Sequence, residues 1–415
     1  MEINNNHINF INSDKNSLSD EKSHKNNDNI EIDKIKEPII DKFDQEHDKE
    51  EEKEVYTVKY YPQDSMSSKA VIAKLKSSHI TKGPDNDKIE TAKEKIGFKE
   101  GTATQAEPDK NNNLIYDQND KRSISVNVFY CVSRSLDNFE KFSGETVKWP
   151  SGNKKLKLYP DNGITKKPSA RYDYNKGSIN FFSSIDYKTK KTIFAGNSQE
   201  IVTHELGHAL LDSVRPKYIS NKSPENLAFH ESFADINAII SDLGDENVVR
   251  MLKEETNGDL KKDNLVSKMG EEFAEFKNLK TGDNTKTFIR NANNNYKYTD
   301  PENISYNSKE NNSVGKEQHE FSQIFTGAFY DITNTIYEKY KKDGNTFEES
   351  IKKTHDDISV LMFKGIKKTP EDGIKFKDMI HAMIQADKEN FKGKYSETIR
   401  NTAIERNIIR PDDKI

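Results

Sequence analysis

The sequence predicts an α+β protein with a strand-containing N-terminal lobe and an all-helical C-terminal lobe, preceded by a disordered tail. Three observations carry this prediction. Strand-type alternation with turn punctuation is confined to the stretch before residue 183. From Ile201 onward, apolar residues recur at helical spacing. The first 54 residues are dominated by Asn, Asp, Glu, Lys and Ser and end in the run 48–54, DKEEEKE. Such a segment buries too little apolar surface to offset the entropy lost on ordering.

Length and composition narrow the field. A chain of 415 residues has room for two or three lobes and one sizeable core. Hydrophobic residues make up 32% and charged residues 33%, a balance poorer in apolar groups than a fully folded chain, which the tail explains. A net charge of -5 and a pI of about 6.1 weigh against nucleic acid as the main partner. The single cysteine, Cys131, excludes an intramolecular disulfide and reads as a small buried residue. No apolar run reaches the roughly 18 residues that a membrane span needs. Met1 to Asn6 lack the apolar core of a signal peptide, so a cytoplasmic monomer is expected, with leaderless export as the alternative.

The elements follow in order. Val55 to Tyr61 alternates as a strand, and Ala70 to Leu75 reads as a short helix. Residues 55–118 are thus an N-terminal extension, either packed on the main body or inhibitory. A catalytic lobe is expected over 119–243. In it, Ile124 to Val132 reads as a strand that leads into a helical stretch through Leu136 and Phe139. Ser169 to Tyr174 and Ser178 to Phe182 form paired strands joined by Asn175-Lys176-Gly177. Two helices complete this lobe, one entered through Gly196-Asn197-Ser198 and one over His230 to Ile240, with Pro216 and Pro224 bracketing the loop between them. The helical lobe, 244–415, has helices near 245–256, 320–341, 347–366 and 373–390 and a polar Asn- and Lys-rich loop over about 278–318. No internal repeat is visible.

The chemistry is concentrated in Ile201-Val202-Thr203-His204-Glu205-Leu206-Gly207-His208. Two imidazoles four residues apart project from one side of a helix and can share a zinc ion, while Glu205 lies beside them as a base for water. The pattern is short enough to occur by chance on a surface helix. Glu231 and Asp235, one helical turn apart on the second helix, lessen that risk. Glu231 supplies the third ligand of a catalytic zinc, and Asp235 can accept a hydrogen bond from the free ring nitrogen of His204. His230 reads as a neighbour of the site or a core residue. The remaining histidines, except His319, lack partners in sequence.

His204-Glu205-x-x-His208 followed by Glu231-Ser232-x-Ala234-Asp235 resembles the gluzincin metalloproteases, specifically the thermolysin-like neutral zinc proteases. His319 to Tyr330 is similar to the helix that opens with a transition-state histidine in that family. Thr287-Phe288-Ile289-Arg290 is similar to the segment whose arginine meets a substrate carbonyl. The resemblance, from about residue 119 to near the C-terminus, implies a thermolysin-like two-lobed zincin fold. It further implies a zinc metalloendopeptidase acting on peptide or protein substrates, with Zn2+ on His204, His208 and Glu231. Glu205 would be the general base, His319 and Tyr218 would assist, and Arg290, Ser169, Ala170 and Ile201 would bind substrate. Ile201, one turn before His204, would line the pocket for the residue after the cleaved bond and favour an apolar side chain there. Departures from the pattern are His230 and Ser169, where asparagine is usual, and Val314 in place of an aspartate, for which Glu317 is the nearby carboxylate. No calcium-binding run and no propeptide of the family type stand out. The alternatives are a catalytically inactive zincin-fold binding or toxin-type module, and a scaffold with an incidental metal site.

Overall fold

The computed structural model describes residues 53–414, apart from 66–67, 93–94, 97–98, 101–104, 187–188, 272, 275, 278–286 and 309–312. The expected tail therefore lies outside the described residues except for Lys53 and Glu54, and Glu54 opens the first strand. Part of the expected polar loop 278–318 also lies outside them.

The N-terminal part is built on strands. In order they are β1 (Glu54–Tyr60), β2 (Val71–Ser77), β3 (Ile89–Thr91), the short β4 (Lys95–Ile96) and β5 (Lys99–Glu100), which pair with each other, and β6 (Asn113–Leu114). β1 is central in a three-stranded sheet, antiparallel to β2 and parallel to β6. The expected helix at Ala70 to Leu75 is a strand instead. Its Ala, Lys and Leu are good helix formers, but a seven-residue ladder with β1, from Val71 opposite Tyr60 to Ser77 opposite Glu54, outweighs that local preference.

The stretch expected as a strand at Ile124 to Val132 lies inside a 22-residue helix, α1 (Arg122–Ser143). Its alternation of β-branched and polar residues misleads because the helix is buried on nearly every side, polar residues included. Asn127 shows how such burial is tolerated: its Oδ1 accepts from Tyr61 N at 2.8 Å and its Nδ2 donates to Gly196 O at 2.8 Å.

A five-stranded sheet follows, with β7 (Leu156–Tyr159), β8 (Ser169–Asp173), β9 (Ser178–Ile185) and β10 (Thr192–Phe194). β9 pairs with β10 and β7, and β7 pairs in parallel with β3 of the N-terminal extension. The expected hairpin is present: β8 is antiparallel to β9, with Ser169 opposite Phe182 and Asp173 opposite Ser178. Among the described residues β8 has no second strand partner on its other edge.

Two helices next to this sheet carry the histidine motif and Glu231. Ser198 caps the first, α2 (Gln199–Val214), by accepting from Ile201 N. The second, α3 (Pro224–Leu243), begins with proline at its first turn, where the missing N–H is no loss. Gly207 sets their separation: a Cβ there would lie 2.7 Å from Ala234 Cα and 3.1 Å from Asn237 Cβ. Only glycine lets these two backbones come so close.

Beyond residue 244 the chain is largely helical, with α4 (Glu246–Thr256), α5 (Gln318–Lys342), α6 (Phe347–Gly365), α7 (Phe376–Phe391) and α8 (Ser396–Glu405). It is not wholly so. β11 (Lys268–Met269) and β12 (Arg290–Asn291) form a two-stranded antiparallel piece, tied to α3 by Arg290.

One hydrophobic core runs from Tyr56 and Val58 through Phe129 and Leu136 to Leu206, Phe233, Phe325 and Met362. It crosses both expected boundaries, at 118/119 and 243/244. Polar ties cross the first as well. Tyr60 Oη donates to Asp245 Oδ2 at 2.7 Å, and Gln63 Nε2 donates to Asp242 Oδ2 at 3.4 Å. Arg134 of α1 pairs with the same Asp245 at 3.0 Å. Among the described residues no helix is long and apolar enough to cross a membrane.

Candidate metal centre

Helices α2 and α3 bring His204, His208 and Glu231 together. One ligand atom from each lies within 4.8 Å of the others. Glu231 Oε2 is 3.5 Å from His204 Nε2 and 3.8 Å from His208 Nε2. Ligands at about 2.1 Å from a tetrahedral zinc are about 3.4 Å apart, close to the two spacings that Glu231 makes. Glu231 Oε2 is buried and accepts no hydrogen bond among the described residues. A buried carboxylate oxygen without a partner is costly, and a cation at this point would satisfy it.

The surrounding groups fix the ligands in place. His204 Nδ1 lies 2.8 Å from Asp235 Oδ1, which leaves its Nε2 to face the centre. Burial alone would lower the His204 pKa, but Asp235 and Glu231 override that effect and raise it to about 10 in the absence of a metal. His208 is pushed the other way, to about 3, first by burial and then by its imidazole neighbours, despite the opposing pull of Glu231. It is therefore neutral and has a lone pair to give. His208 Nδ1 is 3.1 Å from His230 Nδ1, so His230 touches a ligand ring without joining the set. Gln318 Nε2 donates to Glu231 Oε1 at 3.2 Å. Nothing in the sequence pattern marked Gln318, whose one clue was its place next to His319.

Glu205 is buried beside the three ligands. Burial raises its pKa to about 7, with Glu231 adding to the rise and His204 and the backbone N–H of Tyr172 opposing it. Tyr172 therefore turns its N–H toward α2 and away from β9, across the other edge of β8. Ala170, two residues earlier, turns its backbone the same way.

His319 approaches from the start of α5. Its Nε2 is 3.5 Å from Glu231 Oε2, and its side chain is 47% exposed, enough to meet a ligand from solvent. Glu317 caps this helix by accepting from His319 N and Glu320 N, and its Oε1 lies 2.8 Å from His319 Nδ1. One carboxylate thus fixes both the helix start and the orientation of the imidazole. Arg290 binds Asp235 through Nε at 2.9 Å and Nη2 at 2.7 Å.

A cleft of about 740 Å³ opens onto the centre, lined by His204, Glu205, Arg290 and His319 together with Ser169, Ala170 and Ile201. Its far wall is apolar, with Met269, Phe273, Phe288 and Ile289. Glu200, in the first turn of α2, holds that wall by accepting from Gly270 N at 2.9 Å.

Tyr218 is not brought to this cleft, which corrects its expected catalytic role. It lies in a short turn after α2, fully buried, and its hydroxyl bonds Thr369 Oγ1 at 2.8 Å and the Pro370 carbonyl. The loop between α2 and α3 turns that ring toward the C-terminal helices, where it serves packing. The other expected residues, namely the metal ligands, Glu205, Asp235, His319, Glu317, Arg290, Ser169, Ala170 and Ile201, converge at or beside the cleft. No protein-family model and no curated protein matches the chain.

Proposed function

We propose that the chain is a zinc-dependent endopeptidase of the thermolysin-like, two-lobed kind. The observation that carries this reading is Glu231 Oε2, buried, without a hydrogen bond and facing two imidazole nitrogens at 3.5 and 3.8 Å. Two neutral nitrogens and one carboxylate are a donor set suited to catalytic zinc, which leaves a coordination position for water. When bound, zinc would supply Lewis-acid activation of that water and of the substrate carbonyl.

The chain's own residues supply the remaining steps. The edge of β8 away from β9 takes a peptide as an added strand, with Ala170 offering its backbone N–H and C=O. Ile201 and the apolar wall receive the side chain that follows the cleaved bond. Glu205 accepts the proton of the attacking water and passes it to the leaving amine, a role suited to a carboxylate with a raised pKa. His319, as the imidazolium whose Nδ1–H is engaged by Glu317, would donate from Nε2–H to the developing oxyanion. Arg290, fixed by Asp235, faces the same space.

The decisive variant is Glu205→Gln. It should keep zinc at wild-type stoichiometry, measured by elemental analysis, while cleavage of a mixed peptide library falls by roughly 100- to 10,000-fold. Unchanged cleavage overturns the reading. A wild-type protein that binds zinc and cleaves nothing in the library favours a binding module on the same fold.

A further inference from the structure

Tyr172 joins the edge strand to α2 in a way that metal binding does not require. Its backbone N–H meets the Glu205 carboxylate, and its hydroxyl donates to Asp212 Oδ2 at 2.8 Å. Glu205 and Asp212 are seven residues apart on α2, which is two turns along one face and about 10 Å of rise. One residue of β8 is thus fastened to α2 at two points, its main chain at the base and its phenol two turns beyond.

Asp212 is poorly placed to serve stability. It is fully buried, and burial pushes its carboxyl pKa up to about 6. Among the described residues the donor that pulls it back is Tyr172, and Oδ1 is buried without a hydrogen bond. It also stands in the last turn of α2, where the helix dipole disfavours a negative charge. An apolar side chain of similar shape would avoid these costs.

The position of β8 supplies a reason for keeping the carboxylate. On one side a ladder with β9 holds the strand, from Ser169 opposite Phe182 to Asp173 opposite Ser178. On the other side no strand holds it among the described residues. Yet β8 carries Ala170 into the same cleft as Glu205, so its offset from α2 decides where a paired peptide lies relative to the base. Resting on the endopeptidase reading, we propose that Asp212 is a positioning residue: through the Tyr172 hydroxyl it sets the offset between β8 and Glu205, and with it the alignment of the scissile bond. Neither Asp212 nor Tyr172 lines the cleft, so the effect passes through the strand.

The test compares Tyr172→Phe, which removes the donor, Asp212→Leu, which removes the acceptor, and Asp212→Asn, which keeps an acceptor oxygen. kcat and KM are measured on one fluorogenic peptide long enough to span β8, together with zinc content and Tm. Tyr172→Phe and Asp212→Leu should each lower kcat by about 10- to 100-fold, with KM and zinc content nearly unchanged. The double variant should fall no further than the worse single one, because both remove the same bond. Asp212→Asn should stay close to the wild type. Amide exchange over residues 169–173, read by mass spectrometry, reports on the strand without turnover. It should quicken in Tyr172→Phe and Asp212→Leu and not in Asp212→Asn. Additive losses, a loss confined to KM, unaltered exchange, or a lower Tm with kcat intact overturns the inference. If Asp212→Leu fails to fold, Tyr172→Phe against Asp212→Asn makes the same comparison. A wild type that cleaves no peptide counts against the endopeptidase reading, while exchange still decides whether Asp212 holds the strand.

Discussion

Arg290 closes its guanidinium fork on Asp235, with Nε 2.9 Å from Oδ2 and Nη2 2.7 Å from Oδ1. The same Oδ1 lies 2.8 Å from His204 Nδ1. The cleft wall and a metal ligand are therefore tied through one buried carboxylate, and this carboxylate should govern metal affinity. Asp235→Asn is expected to weaken zinc binding by about 10- to 100-fold in chelator competition. Arg290→Met removes the cation opposite a buried anion and is expected to cost about 3–5 kcal/mol in chemical denaturation. If Arg290→Met leaves stability unchanged, the pair is not structural.

Glu317 and His319 form a second pair whose members should separate in a kinetic measurement. His319→Ala is expected to lower kcat/KM by about 100- to 1,000-fold while zinc content stays constant, the usual effect of losing one oxyanion donor. Glu317→Gln keeps an oxygen for the helix cap and loses the charge opposite His319, so a smaller fall of roughly tenfold is expected. Equal losses in the two variants would mean that His319 acts only through its position.

Gly207 tests whether the approach of the two helices makes the site. A Cβ at 2.7 Å from Ala234 Cα forces α2 and α3 apart, and overpacking of this kind costs about 1–3 kcal/mol. The same displacement moves both imidazoles away from Glu231. Gly207→Ala should therefore lower Tm and zinc affinity together, whereas a purely structural glycine would lower Tm alone. Thermal melts with and without added zinc distinguish the two.

Asp242 gives a pH dependence of definite sign. Burial raises its carboxyl pKa to about 7, although Gln199 Nε2 donates to it at 2.7 Å. The unfolded chain releases this proton near the ordinary value of 3.8. Between these limits the folded form holds more protons, so the contribution is full below pH 4 and is lost as pH rises through 7. Asp242→Asn should match the wild type or be less stable near pH 4, and should gain on it by on the order of 1–3 kcal/mol at pH 8. Parallel stability curves for the two proteins would remove Asp242 from the account.

The candidate metal triad was legible in the sequence because helical periodicity decides which side chains share a face. His204, His208, Glu231 and Asp235 sit at spacings that a helix turns into neighbours, and the structure brings them together. Ser169 to Asp173 was legible through its hairpin punctuation. Ile124 to Val132 was not, since a helix buried all round leaves no polar stripe, and its Ser and Asn residues imitate strand alternation. Ala70 to Leu75 fails for another reason, as a partner strand overrides the helix preference of its Ala, Lys and Leu. Tyr218 illustrates a third limit. Distance along the chain from His208 says nothing of the direction a loop takes, and here the loop carries the ring to Thr369. Gln318 and the Tyr172 backbone act through contacts between distant elements, which no local pattern records.

Ile89 to Thr91 run alongside Leu156 to Tyr159 as the border of the main sheet, and Tyr60 reaches Asp245 from the same N-terminal region. A chain cut at residue 119 would lose that border strand and leave an acidic helix cap without its phenol. Residues from about 54 onward thus belong to the fold that holds the candidate metal cluster. Proteolytic removal of residues 55–118 is then expected to destabilise that fold, and a lowered Tm of the truncated chain is the measurement that checks it.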